Sequence, residues 1–261
     1  MTELTGGSTG PSQTGQDWRG ILGLIWGEGW PLPGGPQRID SLLGDLDLRG
    51  KQVLVLGRGS AAIAFYLVER HHAGRVTGLD VDATAVAKAQ AKAQALGLDD
   101  RLTFLEAGAG VLPFAADQFD IVYDGNGLGL GPTAGGLISE SFRVLRSGGT
   151  FLASDLLVDE AGEGSADAGL AQHLGANASS ESYRGLLRDA GFTDALLANQ
   201  NDWYVQVARN ELASMKGPIY DEAAKAYGKE YIDRAVEIWE AKLAVLERGG
   251  AQLTNIRARR P

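Results

Sequence analysis

The stretch Lys51-Gln-Val-Leu-Val-Leu-Gly57-Arg58-Gly59-Ser60-Ala61-Ala62 decides how the chain is read. Gln52 to Leu56 is a short apolar run rich in Val and Leu; two glycines break it, and the helix-compatible run Ala62-Ile-Ala-Phe-Tyr-Leu-Val68 follows. A strand, a glycine turn and a helix in that order let backbone approach a ligand closely, because glycine lacks a Cβ and tolerates positive φ. The helix start also leaves unpaired N–H groups facing whatever lies above the strand end. A second strand, Arg75-Val-Thr-Gly-Leu-Asp80, ends in an acid about 20 residues beyond the glycines, the spacing at which a carboxylate meets ribose hydroxyls. Both elements predict a ligand that carries a nucleoside.

Outward from this unit the pattern repeats. Ala83 to Leu96 is made almost wholly of helix formers and stops at Gly97. Strands are predicted at Leu102–Glu106, Phe119–Tyr123, Thr150–Asp155 and Phe192–Ala198, with helices at Gly135–Val144 and Ser180–Ala190. Such alternation on short connections predicts an α/β fold, a Rossmann-like doubly wound sheet of about seven strands with helices on both faces and its ligand site at the C-terminal strand ends. Apolar residues at helical spacing over Trp203–Met215 and Tyr220–Arg248 predict a helical insert, and the weak alternation of Gln252–Arg259 a closing strand. Residues 1–16, rich in Gly, Ser, Thr and Pro, read as a disordered leader, and 17–261 as one domain. Within it lie an N-terminal helical cover (17–50), the sheet core (51–199), the insert (200–250) and the closing strand (251–261). Glu160 to Ala178, rich in Gly, Ala and Asp, is expected to form a long loop over the site.

Composition narrows the function. With 261 residues, 44% of them hydrophobic, the chain is large enough for a substantial core. It has no cysteine, which excludes disulfides, thiolate chemistry and sulfur-ligated zinc, and no His, Asp and Glu set has metal-ligand spacing. A formal charge of −9 argues against nucleic acid as a partner. The absence of a long apolar run argues against a membrane span and makes a cytoplasmic location the expectation.

Taken together, the motifs resemble those of class I S-adenosylmethionine (SAM) dependent methyltransferases. The carriers are Val-Leu-Val-Leu-Gly57-Arg-Gly59, Gly-Leu-Asp80-Val-Asp82, Leu112-Pro-Phe114, Phe119-Asp-Ile-Val-Tyr123, Phe142-Arg-Val-Leu-Arg-Ser-Gly148-Gly149 and Ala190-Gly-Phe192. Trp26-Gly-Glu-Gly29, Gly34-Gly35 and the helical insert are similar to the phosphoethanolamine methyltransferase group within that fold. The resemblance implies SAM as cofactor and an antiparallel last strand. It places Gly57, Arg58 and Gly59 against the methionine part, Asp80 and Val81 at the ribose, and Gly108 and Ala109 near the adenine. A dinucleotide-binding reading of Gly57-x-Gly59-x-x-Ala62 with Asp80 is the rival; Phe-Asp-Ile-Val and Arg-Ser-Gly-Gly downstream favour the methyltransferase.

The chain departs from the family at several of these positions. Val55 stands where an acid two residues before the first glycine is usual, Ala61 replaces a third glycine, and Gly108 replaces an adenine-contacting aspartate. Asp124-Gly-Asn-Gly-Leu-Gly-Leu-Gly131 replaces the arginine and histidine of the phosphobase enzymes, and Leu22 stands near their catalytic tyrosine, so that group's own activity is not expected. Asp124 and His173 are the candidate catalytic residues, and Trp26, Trp30, Asn126 and Asp155 the candidate substrate contacts, with Tyr183 beside Asp155. His71 and His72, closing the first core helix, read as structural. The favoured function is methyl transfer to a small-molecule nucleophile, with a homodimer compatible with the sequence. A methyltransferase-fold enzyme that catalyses a cyclisation or rearrangement, and a ligand-binding pseudoenzyme, are the alternatives.

Overall fold

In the computed structural model the described residues are 13–30, 32–57, 59–107, 110–125, 134–158 and 178–261. Seven strands form one sheet in the order β3-β2-β1-β4-β5-β7-β6. They are β1 (Gln52–Leu56), β2 (Arg75–Asp80), β3 (Leu102–Glu106), β4 (Phe119–Asp124), β5 (Leu145–Val158), β6 (Thr193–Asn199) and β7 (Ala251–Arg259). The first five are parallel, and β7 runs antiparallel to both β5 and β6, as the resemblance implied. Sequence order reverses between β1 and β4, where Leu56 pairs with Asp124; this is the switch point at which doubly wound sheets open a crevice.

Helices cover both faces. On one lie α2 (Gly35–Leu43), α3 (Ser60–Glu69) and α4 (Ala83–Ala95), on the other α5 (Ala134–Val144) and α6 (Ser180–Asp189). Burial on both faces explains why β1 is almost uniformly apolar. Local signals set the helix starts: the Asp82 carboxylate accepts from Thr84 N–H at 2.9 Å and Ala85 N–H at 3.2 Å, and Ser179 with Ser182 forms a capping box.

Above the sheet sit α1 (Gln13–Trp26) and the insert, α7 (Asn201–Lys216), α8 (Tyr220–Tyr227) and α9 (Lys229–Glu247). One carboxylate joins them. The fully buried Glu211 accepts from Trp26 Nε1–H at 2.8 Å, Gly34 N–H at 3.0 Å and Trp239 Nε1–H at 2.9 Å. Three N–H donors offset the desolvation of that charge, so the carboxylate pins cover and insert together.

The structure refines three expectations. The first helix starts at Gln13, inside the stretch read as leader; residues 1–12 lie outside the described part. The helical spacing read over Tyr220–Arg248 is realised as two helices divided at Gly228, whose φ of 97° lies outside the helical region. Strand β5 begins at Leu145, which pairs with Phe119 of β4, and Gly148 N–H donates to Arg260 O and Arg260 N–H to Gly149 O, carrying the strand through the Arg-Ser-Gly-Gly segment. The loop expected over Glu160–Ala178 lies outside the described residues except for Ala178.

Candidate active site

At the nucleoside end, Gly57 (φ 98°) and Gly59 (φ 78°) carry the chain from β1 into α3 through a backbone that disfavours side chains. Gly59 caps α3 without a side-chain partner, so the helix start keeps N–H groups to offer a ligand. Asp80, buried at the end of β2, accepts from Gly59 N–H at 2.8 Å through one oxygen and from Asp82 N–H at 3.0 Å through the other. Its carboxylate therefore shapes the turn, and each oxygen retains a lone pair for a hydroxyl. A cavity of about 200 Å³ opens here between Gly29, Gly59, Ser60, Asp80, Asp82 and Phe104. A Cβ on Gly78 would lie 2.8 Å from the Phe104 ring and 3.0 Å from Ser60 Oγ, so glycine keeps that wall in place. Val81 follows with its side chain exposed. An acidic acceptor pair, a glycine turn and an uncapped helix start fit a nucleoside cofactor with a charged tail. Arg58, Gly108 and Ala109 lie outside the described residues.

At the tips of the neighbouring strands, β4 and β5 deliver Asp124 (2% exposed) and Asp155 (8%). Asp124 pairs in register with Ala153, which puts Asp155 two residues further along, at the rim of the sheet. Burial raises the Asp155 carboxyl to about 6, opposed by the positive charge of Arg38 and by the Leu156 N–H, which donates to it at 2.9 Å. Arg38, 5% exposed on α2, donates through Nε to Ser154 Oγ (3.2 Å) and through Nη2 to Ser154 O (2.7 Å). Tyr123 and Tyr183 are fully buried, and their hydroxyls have no hydrogen-bond partner among the described residues. Burial pushes the Tyr123 hydroxyl up, with Arg38 opposing and Asp124 adding to it; burial, Asp124 and Asp155 all push Tyr183 up. A Cβ on Gly125 would lie 2.6 Å from Ile63 Cδ1 and 2.8 Å from the Tyr123 ring, so any larger residue at the strand end would displace them.

The candidate substrate contacts are distributed unevenly. Asp124 and Asp155 come together with Tyr183, while the Trp26 indole donates to Glu211 and its ring packs against Gly35 in the cover. Trp30 stands edge-on to Tyr66, ring centroids 5.5 Å apart, against the α2–α3 side of the core. In this structure both tryptophans pack against the protein's own residues, as large aromatics most often do. Asn126 and His173 lie outside the described residues. His71 pairs with Asp40 at 2.8 Å, in keeping with a structural role. Arg38 and Thr254 escape the sequence reading; Arg38 carries a signal, falling on the buried stripe Gly35, Arg38, Ile39, Leu42 and Leu43 of α2. Among the described residues no His, Cys, Asp and Glu cluster could hold a metal ion.

Known proteins are similar to this chain in sequence and fold. Residues 53–149 match the family described as a methyltransferase domain. The ubiquinone/menaquinone biosynthesis C-methyltransferase UbiE of Allorhizobium ampelinum is 38% identical over 117 residues, 43% of this chain and 45% of that protein. A phosphoethanolamine N-methyltransferase of Triticum aestivum is 27% identical over 221 residues, 84% of this chain and 43% of that protein. The chain thus spans less than half the length of these curated relatives. Among solved structures, Haemonchus contortus phosphoethanolamine N-methyltransferase 2, in complex with phosphomonomethylethanolamine and S-adenosylhomocysteine, superposes with a TM-score of 0.78. It is 19% identical, and the superposition covers 95% of this chain and 58% of that one. The [4+2]-cyclase SpnF has the same fold, with a TM-score of 0.68, 24% identity and coverage of 95% and 96%. With the glycine turn, Asp80, the strand order and the antiparallel β7 all in place, these matches show a segment, residues 53–149, that is similar to a methyltransferase domain, within a chain that has the fold of the SAM-dependent methyltransferases.

Proposed function

We propose that the protein transfers a methyl group from SAM to a small-molecule nucleophile held at the C-terminal ends of β4 and β5. The observation that carries this reading is the pairing of Asp80 with Gly59 N–H beside an uncapped α3, next to the buried acids of β4 and β5. When bound, SAM supplies an electrophilic methyl on a sulfonium, and the work left to the protein is largely positioning, desolvation and removal of a proton. Asp80 and the start of α3 would hold the ribose and the charged tail, with Arg58, Val81, Gly108 and Ala109 completing that side. Asp124 stands in register with Leu56 at the end of β1, where cofactor and acceptor sides meet, and is the first candidate to orient the acceptor; Asn126 and His173 belong to the same reading.

Calorimetric titration of SAM into the wild type and into Asp80→Ala tests it. Binding to the wild type that the substitution abolishes is expected; no binding to the folded wild type at millimolar SAM overturns the proposal. A second reading, cyclisation or rearrangement in the same pocket, is favoured by one feature. Val55, fully buried in the core, leaves no carboxylate where the family usually anchors the methionine amino group. Weak SAM binding, with no methylated product from any nucleophile, would select it.

A further inference from the structure

On the sheet face covered by α6, Asp155 lies directly opposite Thr254 in the β5–β7 register, so their side chains share a face with Cβ atoms about 5 Å apart. The same face carries Asp124, and the Tyr183 ring comes down on it from α6. Tyr183 is fully buried, and its hydroxyl has no hydrogen-bond partner among the described residues; the Thr254 hydroxyl, 2% exposed, has none either. Tyr183 packs in the same cluster as Ala153, Leu157 and Ile256, the neighbours of Asp155 and Thr254 on this face, and burial, with the charges of Asp124 and Asp155 adding to it, pushes its hydroxyl up. Among the described residues the Asp155 carboxylate accepts one bond, from its own neighbour Leu156, and the nearby basic group Arg38 donates to Ser154 on the other side of β5. A carboxylate with lone pairs to spare and two hydroxyl oxygens without a partner among the described residues therefore converge at the rim of the sheet. Buried groups of this kind are ordinarily satisfied, and a group with several N–H donors and a positive charge satisfies all three.

We propose that Asp155, Tyr183 and Thr254 form a subsite for an ammonium group, so that the acceptor atom is an amine nitrogen and Asp155 takes its proton. The step is a simple exchange: an N–H bond of the ammonium breaks, an O–H bond forms on Asp155, and the electron pair stays on nitrogen as the lone pair a methyl donor requires. The proposal rests on the methyl-transfer reading for the step that follows and on the cluster itself for the binding. Charged neighbours from every packed element enter the balance: Asp124 from β4 and Tyr183 from α6 on the ligand's side, with Arg38 from α2 behind β5.

The test uses the full chain and n-butylammonium chloride as probe, with butan-1-ol as its neutral counterpart, followed by ligand-observed NMR at pH 7.5. Saturable butylammonium binding is expected in the wild type, weakened at least about tenfold in Asp155→Asn and several-fold in Tyr183→Phe, while butanol binding stays the same in all three. Binding should also weaken at pH 5, where Asp155 is protonated. Circular dichroism melting confirms that the variants fold. Butylammonium binding equal in wild type and Asp155→Asn, or none in the wild type at about 50 mM, a concentration that would detect even feeble affinity, overturns the subsite. A parallel titration with S-adenosylhomocysteine reads the cofactor site separately, so failure of the methyl-transfer reading is distinguished from failure of the ammonium subsite.

Discussion

Replacing Asp155 by Asn should make the protein more stable at neutral pH. The carboxyl is nine-tenths buried, and its folded value of about 6 lies above the ordinary 3.8. A group raised in the folded state binds protons more tightly there than in the unfolded chain, so stability falls as pH rises from 3.8 through 6. At about 1.4 kcal/mol for each tenfold change in proton affinity, the gap between the two values corresponds to a cost of about 3 kcal/mol above pH 7, shrinking to about 0.5 kcal/mol at pH 4. Asparagine keeps an oxygen for the Leu156 N–H and removes the charge, so the variant should gain most of that amount at pH 8 and little at pH 4. Urea unfolding at these two values measures it, and both stand clear of the isoelectric point of 4.9, where the protein would be least soluble. A variant no more stable than wild type at pH 8, or a gain of the same size at both pH values, would refute the reasoning. Such a gain would be the stability–function trade-off common at active sites, in line with the role proposed for Asp155.

Other outcomes follow from the geometry. Asp80→Asn should weaken S-adenosylhomocysteine binding by about 10- to 100-fold by calorimetry, since hydrogen bonds to a charged group contribute about 1.5–3 kcal/mol each and the turn also relies on this carboxylate. Glu211→Ala should cost about 3 kcal/mol in urea unfolding, because two indole N–H groups and the Gly34 N–H lose their acceptor, and tryptophan fluorescence should change with it. Gly125→Ala should cost about 1–3 kcal/mol through overpacking against Ile63 and Tyr123, measured by the same unfolding curves. An unchanged midpoint in either of the last two would show that the contact does not hold the fold together.

The sheet is legible because its strands announce themselves twice, as short β-branched or leucine runs and as the partners of glycine-ended helices. Gln52–Leu56, Arg75–Asp80 and Leu102–Glu106 can be read to the residue. Strand β5 reads short because Arg-Ser-Gly-Gly looks like a turn, and pairing with β4 at Leu145 and bonds to Arg260, more than a hundred residues away, make it strand. In the site, strand-end acids can be found because the topology of such sheets puts ligands there. What the acids face is not legible. Glu211 and Lys242 sit on the buried stripes of their helices, Tyr204, Ala208, Glu211, Met215 and Ile232, Ala235, Trp239, Lys242, Leu246, where a charge marks a buried polar partner. The pattern carries the reader to that point; it does not say that the partners are the indoles of Trp26 and Trp239 for one, and the rings of Tyr204 and Trp239 for the other.

The position of β7 carries a consequence for how the molecule is made. It comes last of the seven strands in the chain and yet lies between β5 and β6, and β6 pairs with it alone. As the polypeptide leaves the ribosome, the parallel strands β1 to β5 can assemble, but β5 then presents a bare edge and β6 has no place to dock until the final stretch emerges. The Thr254 hydroxyl arrives opposite Asp155 in the same event. A nascent chain stalled before Ala251 would therefore lack two strands and an intact acceptor side, and would be exposed to association through β5, while the glycine turn and Asp80 at the other end of the sheet would already be formed.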